Sequence, residues 1–456
     1  MNIIEELARN ILETHFDTFD KDTVEHAKNR VMDVIGCMIG GANASGCQMI
    51  VDLVKGWAGE KECTVPIYGY KGPAPDVAMV NSIMCRSYDF EPVGPYVEDL
   101  NIPAHISGTT VPTALTLAEL KKASGKELLT ALILGDDITS RIMAASRFSF
   151  NIGWDATGTA NMFGSTAIAG KMLGLNESQM LNAFGIVINQ MAGSFQNNYD
   201  AVHSFKLPMG LASRAGIFSA ELAKKGFTGI KDPLFSKHGY FNLYCQENEP
   251  EIITQYLGKK FYSDCTFKPY PTCRANHSSI DCSLELIREH DIDPDNIDEI
   301  TASVTPVIRN MFVSQPFEIR DFPQGNATFS LQYNIANTLL RKNVKLEHFT
   351  EDYIKDKSVG ALALKVKLIA NMPPEKFLAA SLEIKMKNGT KLSTYVDIPK
   401  GDSRYNPLTQ EELEKKFRTN VEFAKVIPRK RTEKLLRIIK DLEKLNDVTE
   451  IIKEIS

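Results

Sequence analysis

The chain has 456 residues, 43% hydrophobic and 24% charged, with a formal net charge of −5. That length exceeds what one hydrophobic core serves, so two domains are expected, and without a basic excess there is nothing to neutralise phosphates, which argues against nucleic-acid binding. Eight cysteines without a Cys-x-x-Cys pair read as reduced thiols, and no run reaches membrane-spanning length, so a soluble, cytoplasmic chain with no membrane contact is expected.

Up to about residue 265 the pattern is helix after helix. Asp22-Thr23-Val24-Glu25 has the form of a capping box, after which Val24, Ala27, Val31, Val34 and Met38 recur at helical spacing until Gly40-Gly41. An ordered connection from Tyr88 to Pro112 follows, carrying Asp89, Glu91 and His105. By composition it reads as an acidic surface loop with one solvated histidine, yet long connections on a helical scaffold are where chemistry tends to be placed. Ser124-Gly125-Lys126-Glu127 and Asn176-Glu177-Ser178-Gln179 repeat the helix-start signal, and Gly174 is placed to end the helix before the second. Between these two starts, Gly164, Ala167, Ala169 and Gly170 would let helices approach closely. No Gly-x-Gly-x-x-Gly follows a strand and no Walker pattern occurs, so a nucleotide cofactor is not expected.

From about Phe267 the texture changes. A proline-punctuated run, Lys268-Pro269-Tyr270-Pro271-Thr272-Cys273-Arg274-Ala275-Asn276-His277, leads into a helix ending near His290. Ile300, Ala302 and Val304 then alternate as a strand, as do Leu362, Leu364, Val366 and Leu368. Leu382, Ile384 and Met386, then Asn388-Gly389, then Leu392, Val396 and Ile398 predict a hairpin with a type I′ turn. Thr409-Gln410-Glu411-Glu412 opens another helix, and the tail from Glu433 to Ile452 is amphipathic. The expected fold is mainly α with an α+β second domain: a large helical domain over residues 1–265, completed by helices of 402–456, and a smaller α/β lid over 266–401.

Five segments together resemble the MmgE/PrpD family of 2-methylcitrate dehydratases and cis-aconitate decarboxylases. They are Asp89-Phe90 with His105-Ile106-Ser107-Gly108, the run from Ser204 to Gly210, Gly226-Phe227-Thr228-Gly229, the run from Lys268 to His277, and Ala327-Thr328-Phe329-Ser330-Leu331-Gln332-Tyr333. The resemblance implies a lyase of a small di- or tricarboxylic acid, dehydratase-type or decarboxylating, working without cofactor or metal, as a homodimer with its lid over the helical domain. It also implies that Lys206 faces substrate carboxylates, that Arg274 and His277 reach the cleft, and that the family's tyrosine falls on Tyr333.

Taken alone, Lys206 before a helix reads as a solvated charge, and Arg274 and His277 as helix-start residues bonded to backbone or solvent. The chemistry gives them other uses. A polycarboxylate needs fixed cations, for which Lys206 and Arg274 are candidates. Proton transfer beside a carboxylate needs an acid/base pair, for which His105 and His277 can serve, with Asp89 orienting a histidine or acting as base and Tyr333 donating a hydrogen bond or proton. Two candidate substrate-facing positions depart from the family pattern: Glu91, in Glu91-Pro92-Val93, stands where an aspartate usually does, and Asp155 stands where many members have histidine. An anion there alters what charge the pocket can accept. An epimerase of a dicarboxylate such as iminodisuccinate, and a non-catalytic metabolite-binding protein of the same shape, remain alternatives.

Overall fold

The computed structural model describes residues 2–148 and 153–456. Helix α1 (Lys21–Gly41) starts two residues before the box expected from sequence, because Asp20 rather than Asp22 caps it, accepting from the Thr23 N–H at 2.7 Å. Helices α2 (Ala74–Arg86), α3 (Ser107–Lys121), α4 (Gly125–Ala145), α5 (Asn161–Leu173) and α6 (Leu207–Lys224) complete the main body. The box at Ser124 and Glu127 forms as expected at the start of α4. Helices α4 and α5 meet through glycines: a Cβ on Gly164 would lie 2.0 Å from Thr139 Oγ1, so only hydrogen fits at that crossing.

Past residue 270 come α7 (His277–Glu289), strand β1 (Ile297–Val304), α8 (Leu331–Arg341), β2 (Val366–Ala370), β3 (Ala380–Met386) and β4 (Lys391–Val396). The strands form one sheet in the order β2-β1-β3-β4, with β1 parallel to β2 and antiparallel to β3, and α7 packs on β3 and β4. The fold is thus mainly helical with a smaller α/β portion. Helix α9 (Gln410–Ala424) returns to α1, where Lys416 Nζ meets Asp33 Oδ1 at 2.7 Å and Phe417 is wholly buried; α10 (Arg429–Lys440) follows.

Two local expectations are corrected. The β3–β4 hairpin pairs Ile384 with Leu392 as the alternation requires, but of its turn residues only Gly389 has a positive φ (+87°), whereas a type I′ turn needs Asn388 there as well. The Gly389 N–H donates to the Met386 carbonyl and the Met386 N–H to the Thr390 carbonyl, so the turn is the longer kind closed by a left-handed glycine. Leu362 and Leu364 do not extend β2 backwards: Asp356 caps a short helix, Lys357–Ala363, which buries Leu362 and leaves Leu364 85% exposed. No helix among the described residues is long and apolar enough to cross a membrane.

Candidate active site

A cavity of about 720 Å³ lies where the helical body meets the α/β portion. Its walls are largely aromatic and aliphatic, with Phe148, Phe195, Phe312, Phe329, Met311 and Val307 among them. A few polar groups converge on it, an arrangement typical of small-molecule sites. The connection between α2 and α3 builds its helical-body side. That connection is buried through most of its length rather than solvated, because it is pinned on both flanks: Val93 and Thr266 exchange backbone hydrogen bonds at 3.0 and 2.9 Å, and Lys268 Nζ donates to the Asp89 carbonyl at 2.7 Å. Asp89 adopts a left-handed φ of +50°, a conformation that aspartate tolerates better than most residues and that clusters at functional sites.

Arg86, at the last turn of α2, is the hub. Its Nη1 contacts Asp89 Oδ1, lies 2.6 Å from Glu91 Oε1 and 2.9 Å from His105 Nδ1, while Lys268 Nζ adds a second cation 3.2 Å from Asp89 Oδ1. Burial alone would raise the Glu91 carboxyl, but Arg86, then His105 and Lys268, hold it well below the usual carboxylate range. An ionised Glu91 can only accept, so its 2.6 Å contact with His105 Nδ1 assigns the imidazole proton to Nδ1 and leaves Nε2 with its lone pair. Burial, then Arg86 and Lys268, outweigh Glu91 and Asp89 and push the His105 pKa down, so the ring is neutral at neutral pH. The result is a base on the cavity wall, 20% exposed, with its Nε2 3.7 Å from Asp89 Oδ1.

The donor atoms of Asp89, Glu91 and His105 lie within 4.8 Å of one another, a spacing that could hold a metal ion. The fit is poor. The guanidinium of Arg86 contacts all three, and a divalent cation would have to sit against both it and Lys268.

Another part of the lining centres on Arg274, placed by the single turn Arg274–Asn276 ahead of α7. Its Nη1 and Nη2 donate to the carbonyls of Lys400 and Pro399 at 2.5 and 2.9 Å, and burial lowers its pKa to about 10. Asp155, 4% exposed, accepts from the Thr157 N–H and Oγ1 at 2.9 and 2.7 Å through one oxygen. Tyr96 joins the two parts of the chain by donating to Asp402 Oδ2 at 3.0 Å.

Comparison with known proteins fits this arrangement. The MmgE/PrpD N-terminal domain matches residues 5–253 and the MmgE/PrpD C-terminal domain residues 270–444. The chain belongs to the MmgE/PrpD family. It is 26% identical to a human cis-aconitate decarboxylase, over 93% of this chain and 88% of that protein, and 24% identical to an Aspergillus terreus cis-aconitate decarboxylase, over 96% and 92%. It is also 21% identical to the 2-methylcitrate dehydratase of Escherichia coli K12, over 98% and 96%. The reading of an MmgE/PrpD-type enzyme stands with these relatives, whose names are those of lyases.

Within this family member, Asp89, His105, Asp155 and Arg274 line the cavity, and Glu91 stands directly behind His105. Besides Glu91, which was expected to face the substrate, three expected residues do not line it. Lys206 is buried with its Nζ donating to the Ser45 carbonyl at 2.6 Å, over the Phe322 ring, because the turn before α6 directs it towards the start of the Cys47–Trp57 helix. His277 is wholly enclosed: Nδ1 faces Arg274 Nη1 at 3.1 Å and Nε2 the Thr272 carbonyl at 3.2 Å, and burial followed by Arg274 and Lys268 keeps it neutral. It holds Arg274 in place. Tyr333 is a core residue of α8 whose hydroxyl donates to the His348 carbonyl between Phe317 and Phe349. The expectation that Lys206 faces substrate carboxylates alongside Arg274 is therefore corrected: its ammonium is taken up by the Ser45 carbonyl, away from the cavity.

Sequence reasoning missed Arg86, Lys268, Tyr96 and Asp402. Arg86 carried a usable signal, a charge ending an apolar helical run three residues before Asp89. Asp402 carried none, since its partner Tyr96 is 306 residues away.

Proposed function

We propose that this protein is a lyase of a small carboxylic acid, acting by proton transfer at His105 Nε2. The observation that carries the reading is the 2.6 Å Glu91–His105 contact on the wall of the cavity, which assigns the proton to Nδ1 and leaves on Nε2 a lone pair with only a long, 3.4 Å contact to Arg86 Nη1. His105 takes a proton from the carbon next to the carboxylate. The electron pair left behind is delocalised into that carboxylate, where Arg274 counters the growing charge. In a dehydration the protonated ring then returns the proton to the departing hydroxyl; in a decarboxylation no proton is removed first, and the electron pair that departing carbon dioxide leaves on the substrate is protonated by the imidazolium, which has taken its proton from water. Asp89, locked by Arg86 and Lys268, keeps a carboxylate close to the imidazolium as it forms. His105 and Glu91 need no bound group for these steps.

The dimer expectation has its own support. Met49, Leu53 and Trp57, spaced four apart on the Cys47–Trp57 helix, are 70%, 50% and 47% exposed, and Leu207, Leu211 and Phe218 line one exposed face of α6. Arg214 of α6 stacks over the Trp57 ring, joining the two stripes into a face that a second copy of the chain would cover. A light-scattering mass of one subunit at micromolar concentration would contradict this.

The lyase reading is tested by incubating the protein in deuterium oxide with cis-aconitate, 2-methylcitrate and smaller hydroxy and amino acids, followed by NMR. Loss of water or carbon dioxide supports it. Deuterium uptake without elimination would make the protein an epimerase, and neither change in any ligand that binds would make it a binding protein.

A further inference from the structure

The expected substrates are acids with two or three carboxylates, and such ligands need several cations free to receive them. The cavity does not offer them. Among the described residues its lining holds three cations, Arg86, Arg274 and Lys376, against five carboxylates, Asp89, Asp155, Glu375, Asp397 and Asp402, while His105 is neutral. Arg86 is taken up by Asp89 and Glu91, and Lys376 pairs with Asp397 at 3.1 Å. Arg274 differs in kind. Its partners are two carbonyls and a neutral histidine, so no carboxylate within bonding distance matches its charge, and its Nε–H is buried without an acceptor. The guanidinium charge is thus left without a counter-charge in contact, which an incoming carboxylate would supply.

Asp155 is the mirror case. One oxygen is used by Thr157; the other has no hydrogen-bond donor among the described residues, and no cation lies within ion-pair distance of the carboxylate. It stands beside aromatic walls, where an opposite charge is worth more than in water. Among the described residues the cavity therefore presents one cation and one buried anion with no ion-pair partner in contact, Asp155 feeling Arg86 and Arg274 feeling Asp281 and Asp402 only from farther off, with apolar surface around them.

Resting on the lyase reading above, we propose that the substrate class of this site is an amino acid in the broad sense, one carboxylate received by Arg274 and one protonated amine received by Asp155, carrying an uncharged arm against Phe312 and Phe329. A tri-anion would meet a lining already in excess of negative charge.

The test uses pairs of ligands that differ only in exchanging hydroxyl for ammonium: L-malate with L-aspartate, and L-3-phenyllactate with L-phenylalanine, with citrate as the tri-anion. Binding to the full chain is measured by calorimetry. The expected result is that the ammonium member of the phenyl pair binds about tenfold or more tighter than its hydroxy partner, the scale of a hydrogen bond to a buried charge, and that citrate binds more weakly than either. Asp155→Asn, which retains the oxygen that Thr157 uses, should bring the members of each pair within about twofold of each other, because its charge is gone. Equal or tighter binding of the hydroxy acids to the wild-type chain, tightest binding of citrate, or no binding of either ammonium ligand would overturn the proposal. The wild-type comparison stands even if the variant does not fold. The lyase reading fails on separate ground, namely that a ligand which binds undergoes neither elimination nor exchange.

Discussion

Two groups of buried ion pairs sit in the same helical body and do different things. In the first, Arg141 on α4 pairs with Asp137 at 2.8 Å and donates to the carbonyls of Ile253, Gln255 and Lys260, while Arg30 on α1 pairs with Asp136 at 3.2 Å and donates to those of Ser263 and Asp264. Both arginines are fully buried, and the backbone carbonyls they bond all lie in the stretch 253–264. They fasten that stretch of chain to α4 and α1. In the second, Arg86 gathers Asp89, Glu91 and His105 at the cavity wall, with a titratable imidazole among the partners. The pairing chemistry is the same. Access to the cavity, and a titratable histidine among the partners, separate a fastening from a site.

The comparison can be broken by removing one arginine from each group. Arg86→Met should have the largest effect, costing about 3–5 kcal/mol of stability, since it leaves buried Glu91 without its paired cation and Asp89 with Lys268 alone, and abolishing turnover in whatever remains folded. Arg141→Met should cost a similar amount in a denaturant melt, yet the folded fraction should keep its kcat. If both variants lost activity to the same degree at equal folded fraction, the distinction between the groups would fail.

Glu91→Gln sharpens it further. A neutral His105 is the active form, so activity should rise with pH through the His105 pKa, which lies below the ordinary value of about 6.5. Glu91 is one of the two groups holding that pKa up; its removal should move the acid limb of the pH–rate profile to still lower pH and, with the tautomer no longer fixed, lower kcat by about 10- to 100-fold. A limb that moved to higher pH would contradict the assignment. The smallest effect belongs to Tyr333→Phe, which removes one hydroxyl donor to a carbonyl: about 1 kcal/mol in stability and no change in kcat.

How much of this was legible in the sequence follows from the range of the interactions. Capping at Ser124, Asn176 and Thr409 involves residues three apart, and all three boxes form where the local pattern puts them. The turn after Met386 was misjudged because Asn-Gly suits more than one hairpin loop, and the choice rests on the register of the flanking strands. Asp89, Glu91 and His105 were legible because one connection carries all three. Lys206, His277 and Tyr333 were named by resemblance, and their side-chain directions depend on distant acceptors, the carbonyls of Ser45 and His348 among them, which no local pattern encodes. Arg86 and Lys268 act through contacts that assemble only when residues 86–105 and 266–274 come together.

The central claim is that His105 Nε2 moves the proton. The direct measurement is the rate of substrate C–H exchange with deuterium oxide, by NMR, for the wild-type chain and for His105→Gln under saturating ligand. The account predicts exchange slowed by about 10²- to 10⁴-fold in the variant, with ligand affinity and melting temperature little altered. Exchange at the wild-type rate in a folded His105→Gln protein would contradict it.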